Sequence, residues 1–146
     1  MSRKEVEELN AKMVRTWNDH DINACAELCS DDIVWSDLNN PEPYRGKEGV
    51  RTFMGGWMKA FPDFHLDIKN SVATDDSIAV EVTFQGTNTG SMKMSPGGPE
   101  IPATGKKVVN SKGAYFATFR GGKAVNVRTY PDAAGMMMQL GLMPKP

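Results

Sequence analysis

Two aspartates in this sequence occupy settings in which a carboxylate can move a proton. Asp37 closes the run Ile33-Val34-Trp35-Ser36-Asp37, where strand alternation puts Ile33, Trp35 and Asp37 on one face, an acid beside two large hydrophobes. Asp132 closes the extended run Lys123–Asp132, in which Asn126, Arg128, Tyr130 and Asp132 share a face. Turned outward, that face is solvated strand surface. Turned inward, it lines a pocket whose apolar walls disfavour the ionised carboxylate and bring its pKa toward the range useful near neutrality, with Arg128 pulling the other way. Asp37 also has a plain alternative, capping the turn before Pro41.

Other chemistries are less well supplied. No serine or cysteine has a base near it in sequence, so nucleophilic catalysis has no positive signal. Cys25 and Cys29, both placed in an expected helix, stack on one face without disulfide geometry and read as buried free thiols. His20 and His65 are too far apart to start a zinc or iron site, so no metal is expected, and His65 reads as a surface or structural residue. Gly121-Gly122 sits in a hairpin with no helix after it, which removes the phosphate-cradling fingerprints and any nucleotide cofactor that depends on them. The 17 Lys plus Arg against 18 Asp plus Glu leave a net charge of -1, so nothing in the charge favours nucleic acid or an anionic membrane as a partner. The apolar stretches fall far short of the roughly 20 residues that span a bilayer. The N-terminus lacks the apolar core and cleavage site of a secretory signal, and the expected location is cytoplasmic.

Positioning these acids falls to helices at the start of the chain and strands after them. A length of 146 residues suits a single domain, residues 1–146, and 40% hydrophobic with 24% charged residues is a globular balance with enough apolar material for one core. Ser2 and Glu5 have capping-box spacing ahead of Val6, Leu9, Met13 and Trp17, an amphipathic first helix. Asp21 is the candidate cap of a short second helix with the stripe Ile22, Cys25, Leu28 and Cys29. After a proline-rich turn, Val50, Phe53, Met54, Trp57, Met58 and Phe61 mark a third helix that Pro62 ends. From Phe64 the period becomes two, over His65–Ile68, Ile78–Gln85, Val108–Phe119 and Lys123–Asp132, with hairpin-type turns at Asp75-Asp76 and Gly121-Gly122 that call for antiparallel pairing. Gly90–Gly105 reads as a long loop, and Ala133–Leu142 as a Met-rich closing helix. Helices followed by consecutive strands make an α+β fold in which helices cover one face of one sheet.

Several motifs fall in a familiar order. They are Asp31-Asp32-Ile33-Val34-Trp35, then Tyr44-Arg45-Gly46-Lys47-Glu48-Gly49-Val50 opening a helix and Phe61-Pro62-Asp63-Phe64 closing it. Later come Gly86-Thr87-Asn88-Thr89-Gly90, Pro102-Ala103-Thr104-Gly105-Lys106, Phe119-Arg120-Gly121-Gly122-Lys123, and Asp132 followed by Gln139-Leu140-Gly141. Over nearly the whole chain this resembles the SnoaL-like polyketide cyclases. The resemblance implies the cone-shaped α+β barrel of the nuclear transport factor 2-like superfamily, with N-terminal helices packed on a strongly curved antiparallel sheet around one cavity. It implies a homodimer, expected through the outer face of the sheet because Val108–Phe119 reads as apolar on both faces. It also implies that Asp132 faces inward as the acid/base of an intramolecular aldol condensation. The chain departs from the family pattern at Asn88, where a histidine is common and where an amide cannot exchange protons near pH 7. Pro131 also replaces an aromatic residue, and Arg128-Thr129-Tyr130 is polar for a tetracyclic substrate.

The combined expectation is a cyclase or isomerase without a cofactor, acting on a small, largely apolar or aromatic carbonyl compound. Asp132 removes the proton α to the carbonyl and Asp37 is the second acid. Tyr130, Asn110 and Arg128 are the donors expected at the enolate oxygen. Trp35, Phe53, Trp57, Tyr115 and Met136 wall the cavity, side chains that would equally serve a solid core. Two further readings use the same scaffold: an epoxide-hydrolase-like activation of water by Asp37 and Asp132 with Arg128 between them, and a binding module whose acids only orient a hydrophobic metabolite.

Overall fold

Ser2 opens the first helix, its hydroxyl accepting the Glu5 amide proton at 3.2 Å, and α1 (Arg3–Asn18) turns Val6, Met13, Val14 and Trp17 inward. In this computed structural model, which describes residues 1–93 and 95–146, Asp21 caps α2 (Ile22–Glu27) in the same way through Ala24 at 3.0 Å. The helix is shorter than its apolar stripe suggested. Cys29 opens strand β1 (Cys29–Asp37), so the two cysteines do not share a helix; both are buried free thiols, with Cys29 Sγ donating to the Cys25 carbonyl at 3.4 Å. Strand β2 (Tyr44–Arg45) leads directly into α3 (Gly46–Ala60), and the entry is tight. Gly46 has φ +68°, and a Cβ on Gly49 would lie 2.9 Å from the Tyr44 carbonyl carbon, so this turn needs both glycines.

The remaining strands are β3 (His65–Ala73), β4 (Ser77–Thr87), the short pair β5 (Met92–Lys93) and β6 (Glu100–Ile101), then β7 (Lys107–Arg120) and β8 (Lys123–Pro131), followed by α4 (Ala133–Gln139). The small β5–β6 hairpin occupies the segment expected to be a loop; Met94, within it, lies outside the described residues. The main sheet has the order β2-β1-β8-β7-β4-β3. It is mixed, which corrects the expectation of a purely antiparallel sheet: β1 lies parallel to β8, in a register that pairs Asp37 with Thr129. A parallel neighbour requires a crossover. Here α3 and the β3–β4–β7–β8 meander supply it, so β1 and β8 point the same way and their C-terminal ends, carrying Asp37 and Asp132, reach the same end of the sheet.

Register shifts in β3–β4, β4–β7 and β7–β8 bend the sheet around the helices without closing it. Its concave face and α3 share an aromatic core, in which Phe64 stacks on Phe84 at 5.4 Å and Trp57 meets Phe84 edge-on at 5.3 Å. His20 anchors the α1–α2 turn, its Nε2–H donating to the Phe64 carbonyl at 2.7 Å, and the Asn18 amide bonds both backbone groups of Leu66. His65 is exposed and pairs with Asp67 at 3.2 Å. No helix among the described residues is long and apolar enough to cross a membrane.

Candidate active site

The space between α3 and the sheet divides into two adjoining lobes. An outer lobe of about 230 Å³ opens beside the β5–β6 hairpin and the start of α4, with Tyr44, Met136 and Asp132 in its lining. An inner lobe of about 110 Å³ reaches down among Trp17, Trp35, Phe64, Val82 and Tyr115. Asp37, Phe53, Trp57, Phe84, Ser111 and Pro131 line both and form the waist where they meet.

Asp37 is 6% exposed. Its Oδ2 accepts the Thr129 hydroxyl at 3.1 Å and its Oδ1 accepts the Asn39 amide at 2.8 Å, so neighbouring strand and following turn both hold the carboxylate. It caps the turn and lines the cavity at once, which joins the two readings that the sequence left open. Burial and, second, the charge of Asp37 push the Tyr44 phenol above its ordinary range, which keeps this hydroxyl protonated beside the cavity. Tyr115 is buried in the inner lobe with its hydroxyl donating to Asn10 Oδ1, and desolvation raises its pKa against the effect of that bond. Trp35 Nε1 and Asn40 Oδ1 are buried without a hydrogen-bond partner among the described residues.

Asp132 sits differently. It is exposed at the N-cap of α4, Oδ1 accepting the Gly135 amide at 2.9 Å, and it borders the outer lobe at its mouth instead of facing apolar walls. A Cβ on Gly135 would stand 2.2 Å from Asp132 Oδ2, so the cap depends on that glycine. Along β8 it is Val127, Thr129 and Pro131 that line the cavity, while Arg128 and Tyr130 are exposed on the convex face. Both were expected inside. Arg128 lies over the Phe116 ring at 5.4 Å and Tyr130 meets Phe116 edge-on at 6.0 Å, so neither can bind an enolate oxygen in the cavity. The water-activating triad of Asp37, Arg128 and Asp132 falls with them. Asn110 is misplaced for another reason: it is exposed at φ +50°, in a bulge where the β4–β7 register shifts, and Ser111 takes the inward position. Tyr44, Ser111 and Thr129 were not singled out as site residues. Tyr44 stood in a quoted motif, whereas Ser111 and Thr129 had no local signal.

The profile of the SnoaL-like polyketide cyclase family matches residues 7–140. The chain belongs to this family. A search of curated proteins found no match. Among solved structures, AclR of Streptomyces galilaeus, described as a proposed hydroxylase, is similar at 26% identity and TM-score 0.83, covering 99% of this chain and 86% of that one. TsrD of Streptomyces laurentii is similar at 22% identity and TM-score 0.81, covering 98% and 99%. IdmH of Streptomyces antibioticus, described as a proposed polyketide cyclase, is similar at 22% identity and TM-score 0.76, covering 92% and 97%. At those identities the last two show the shared fold. Asn88, where the resemblance implied a histidine, lies in neither lobe. It is 0% exposed, its amide donating to the Ala60 and Gly90 carbonyls and its oxygen accepting the Thr104 backbone and side chain.

Proposed function

We propose that this SnoaL-like protein is an acid/base isomerase or cyclase, without a cofactor, for a small, largely apolar carbonyl compound, and that Asp37 is its base. The observation that carries the reading is a buried carboxylate at the waist of the cavity, next to a mainly apolar inner lobe, held by two donors and still facing the space where a ligand fits. Asp37 takes a proton from the carbon α to the carbonyl, and the electron pair moves onto the carbonyl oxygen. The Tyr44 phenol, protonated and lining the same lobe, is suited to donate to that enolate. In an isomerisation the proton returns to another carbon. In an aldol cyclisation the enolate carbon attacks a second carbonyl and the new alkoxide takes the proton back from the Asp37 carboxyl.

The test uses 2-tetralone, whose α-protons are acidic and whose rings are apolar. In deuterated buffer the protein accelerates exchange of those protons, Asp37→Asn slows it by roughly 10²–10⁴-fold, and Asp132→Asn leaves most of it. Exchange at the uncatalysed rate would instead favour a binding module. Exchange untouched by Asp37→Asn would remove Asp37 from the mechanism.

The family dimer is also part of the proposal. Ile68, Val72, Val109, Phe116 and Tyr130 are exposed, and β7 and β8 bring Phe116 and Tyr130 together on the convex face, apolar surface that a second copy would cover.

A further inference from the structure

Two polar groups of the waist, the Ser111 hydroxyl and the Trp57 indole N–H, have no hydrogen-bond partner among the described residues, and of the two only Ser111 is a buried residue. Asp37 has its two donors and Thr129 its acceptor. Ser111 is 5% exposed, lines both lobes, and its hydroxyl has no hydrogen-bond partner among the described residues. Trp35 Nε1 and Asn40 Oδ1 share that lack, but both are sealed within the wall, whereas the Ser111 hydroxyl is not among the sealed atoms and opens on the cavity. Burying a hydroxyl without a partner is unfavourable, and a protein that does so next to a void leaves a group for a ligand to satisfy. The backbone is also arranged to put it there. The bulge between Val108 and Ser111, with Asn110 in the left-handed region, turns both Val108 and Ser111 inward where simple alternation would send one of them out.

The inner lobe adds a size limit. An apolar cavity of about 150 Å³ takes benzene, so a space of about 110 Å³ walled by Trp17, Trp35, Phe64 and Val82 admits no more than one ring. We infer that Ser111 is a specificity-determining residue that donates a hydrogen bond to the oxygen of a ligand whose single apolar ring fills the inner lobe and whose carbonyl sits at the waist beside Asp37. A fused tetracycle does not fit that arrangement. The inference rests on the carbonyl-ligand reading of the cavity, but it concerns binding and needs no turnover.

The experiment compares 2-tetralone with tetralin, which has the same ring skeleton without the oxygen, by quenching of Trp17, Trp35 and Trp57, all of which line the lobes. The protein is expected to bind the ketone about tenfold more tightly than the hydrocarbon. Ser111→Ala brings that ratio close to one by weakening the ketone alone, and tetralin changes by less than about twofold. Ser111→Cys fills the same space with a poor donor and should behave as the alanine variant does, which separates a lost hydrogen bond from a void. A purely structural serine would move both ligands together. A ratio unchanged in both variants overturns the inference, as does a wild-type protein that shows no preference for the ketone or binds neither probe. Ketone preference without proton exchange would overturn the acid/base reading and leave the role of Ser111 standing; exchange with a ratio indifferent to Ser111 would do the reverse.

Discussion

Replacing Asn88 by alanine should destabilise the protein by about 3–5 kcal/mol, although the residue touches neither lobe. Its side chain makes four hydrogen bonds: to the Ala60 carbonyl at 3.1 Å, to the Gly90 carbonyl at 2.9 Å, and from the Thr104 amide and hydroxyl at 2.8 and 2.9 Å. These tie the end of α3 to the segment leading into β5 and to the approach to β7. A neutral hydrogen bond nets about 1 kcal/mol and a buried partner left bare costs about 1–3 kcal/mol. The buried Ala60 carbonyl would keep only the long 3.4 Å bond from the Gly90 amide, while Gly90 and Thr104 lie nearer the surface and recover water, which keeps the loss below the sum of four full penalties. Against a usual stability of about 5–15 kcal/mol this is a large fraction. Asn88→Asp is the sharper variant. It keeps both acceptor interactions but turns an oxygen toward the Ala60 and Gly90 carbonyls, so near neutrality it should be no better than alanine, and it should recover relative to wild type as the pH falls and the carboxyl regains a proton. Urea unfolding followed by tryptophan fluorescence measures both. A loss under about 1 kcal/mol for Asn88→Ala, with the slope of the transition unchanged, would refute the account and reopen a chemical role for this position.

Gly135→Ala should displace the Asp132 carboxylate, because the new Cβ would stand 2.2 Å from Oδ2; a loss of about 1 kcal/mol in thermal or urea unfolding is expected from the broken cap, and an undisturbed Asp132 in a structure of the variant would contradict it. Tyr44 and Tyr115 both have raised phenol pKa values in the fold, so their contribution to stability is complete below the unfolded value of about 10 and is lost as the pH rises above it; urea midpoints from about pH 8 to 11 should fall, and a flat profile counts against both burials. Tyr115→Phe should flatten part of that fall while costing about 1–2 kcal/mol at neutrality, since Asn10 Oδ1 then lacks its donor. Asp37→Asn should bring the Tyr44 phenol down toward its ordinary range in an ultraviolet titration, because a neighbouring negative charge is gone. Phe116→Glu, on the convex face, should convert a dimer to monomer in sedimentation without loss of the fold, and an unchanged mass would place any dimer contact elsewhere.

The periodicities of this chain are local properties, and they were legible. The stripe from Val50 to Phe61 specifies α3, and alternation places Ile33, Trp35 and Asp37 together, where all three are buried in β1. The order of motifs carried the family. Alternation divides a strand into two faces but does not say which is covered, and for β8 that was decided only by what packs on it: Val127 and Thr129 meet the helices' side, leaving Arg128 and Tyr130 outside. Past the last strand residue the pattern no longer applies, so Asp132 follows the geometry of a helix cap and not the parity of the strand. Asn110 and Ser111 exchanged places because a bulge inserts an extra residue, an event fixed by pairing with β4, whose residues lie far away in sequence. The parallel register of β1 with β8 is of the same kind. It joins Asp37 to Thr129 across a separation that no local pattern encodes, and it is this long-range pairing that makes a turn-capping aspartate into the carboxylate at the waist of the cavity.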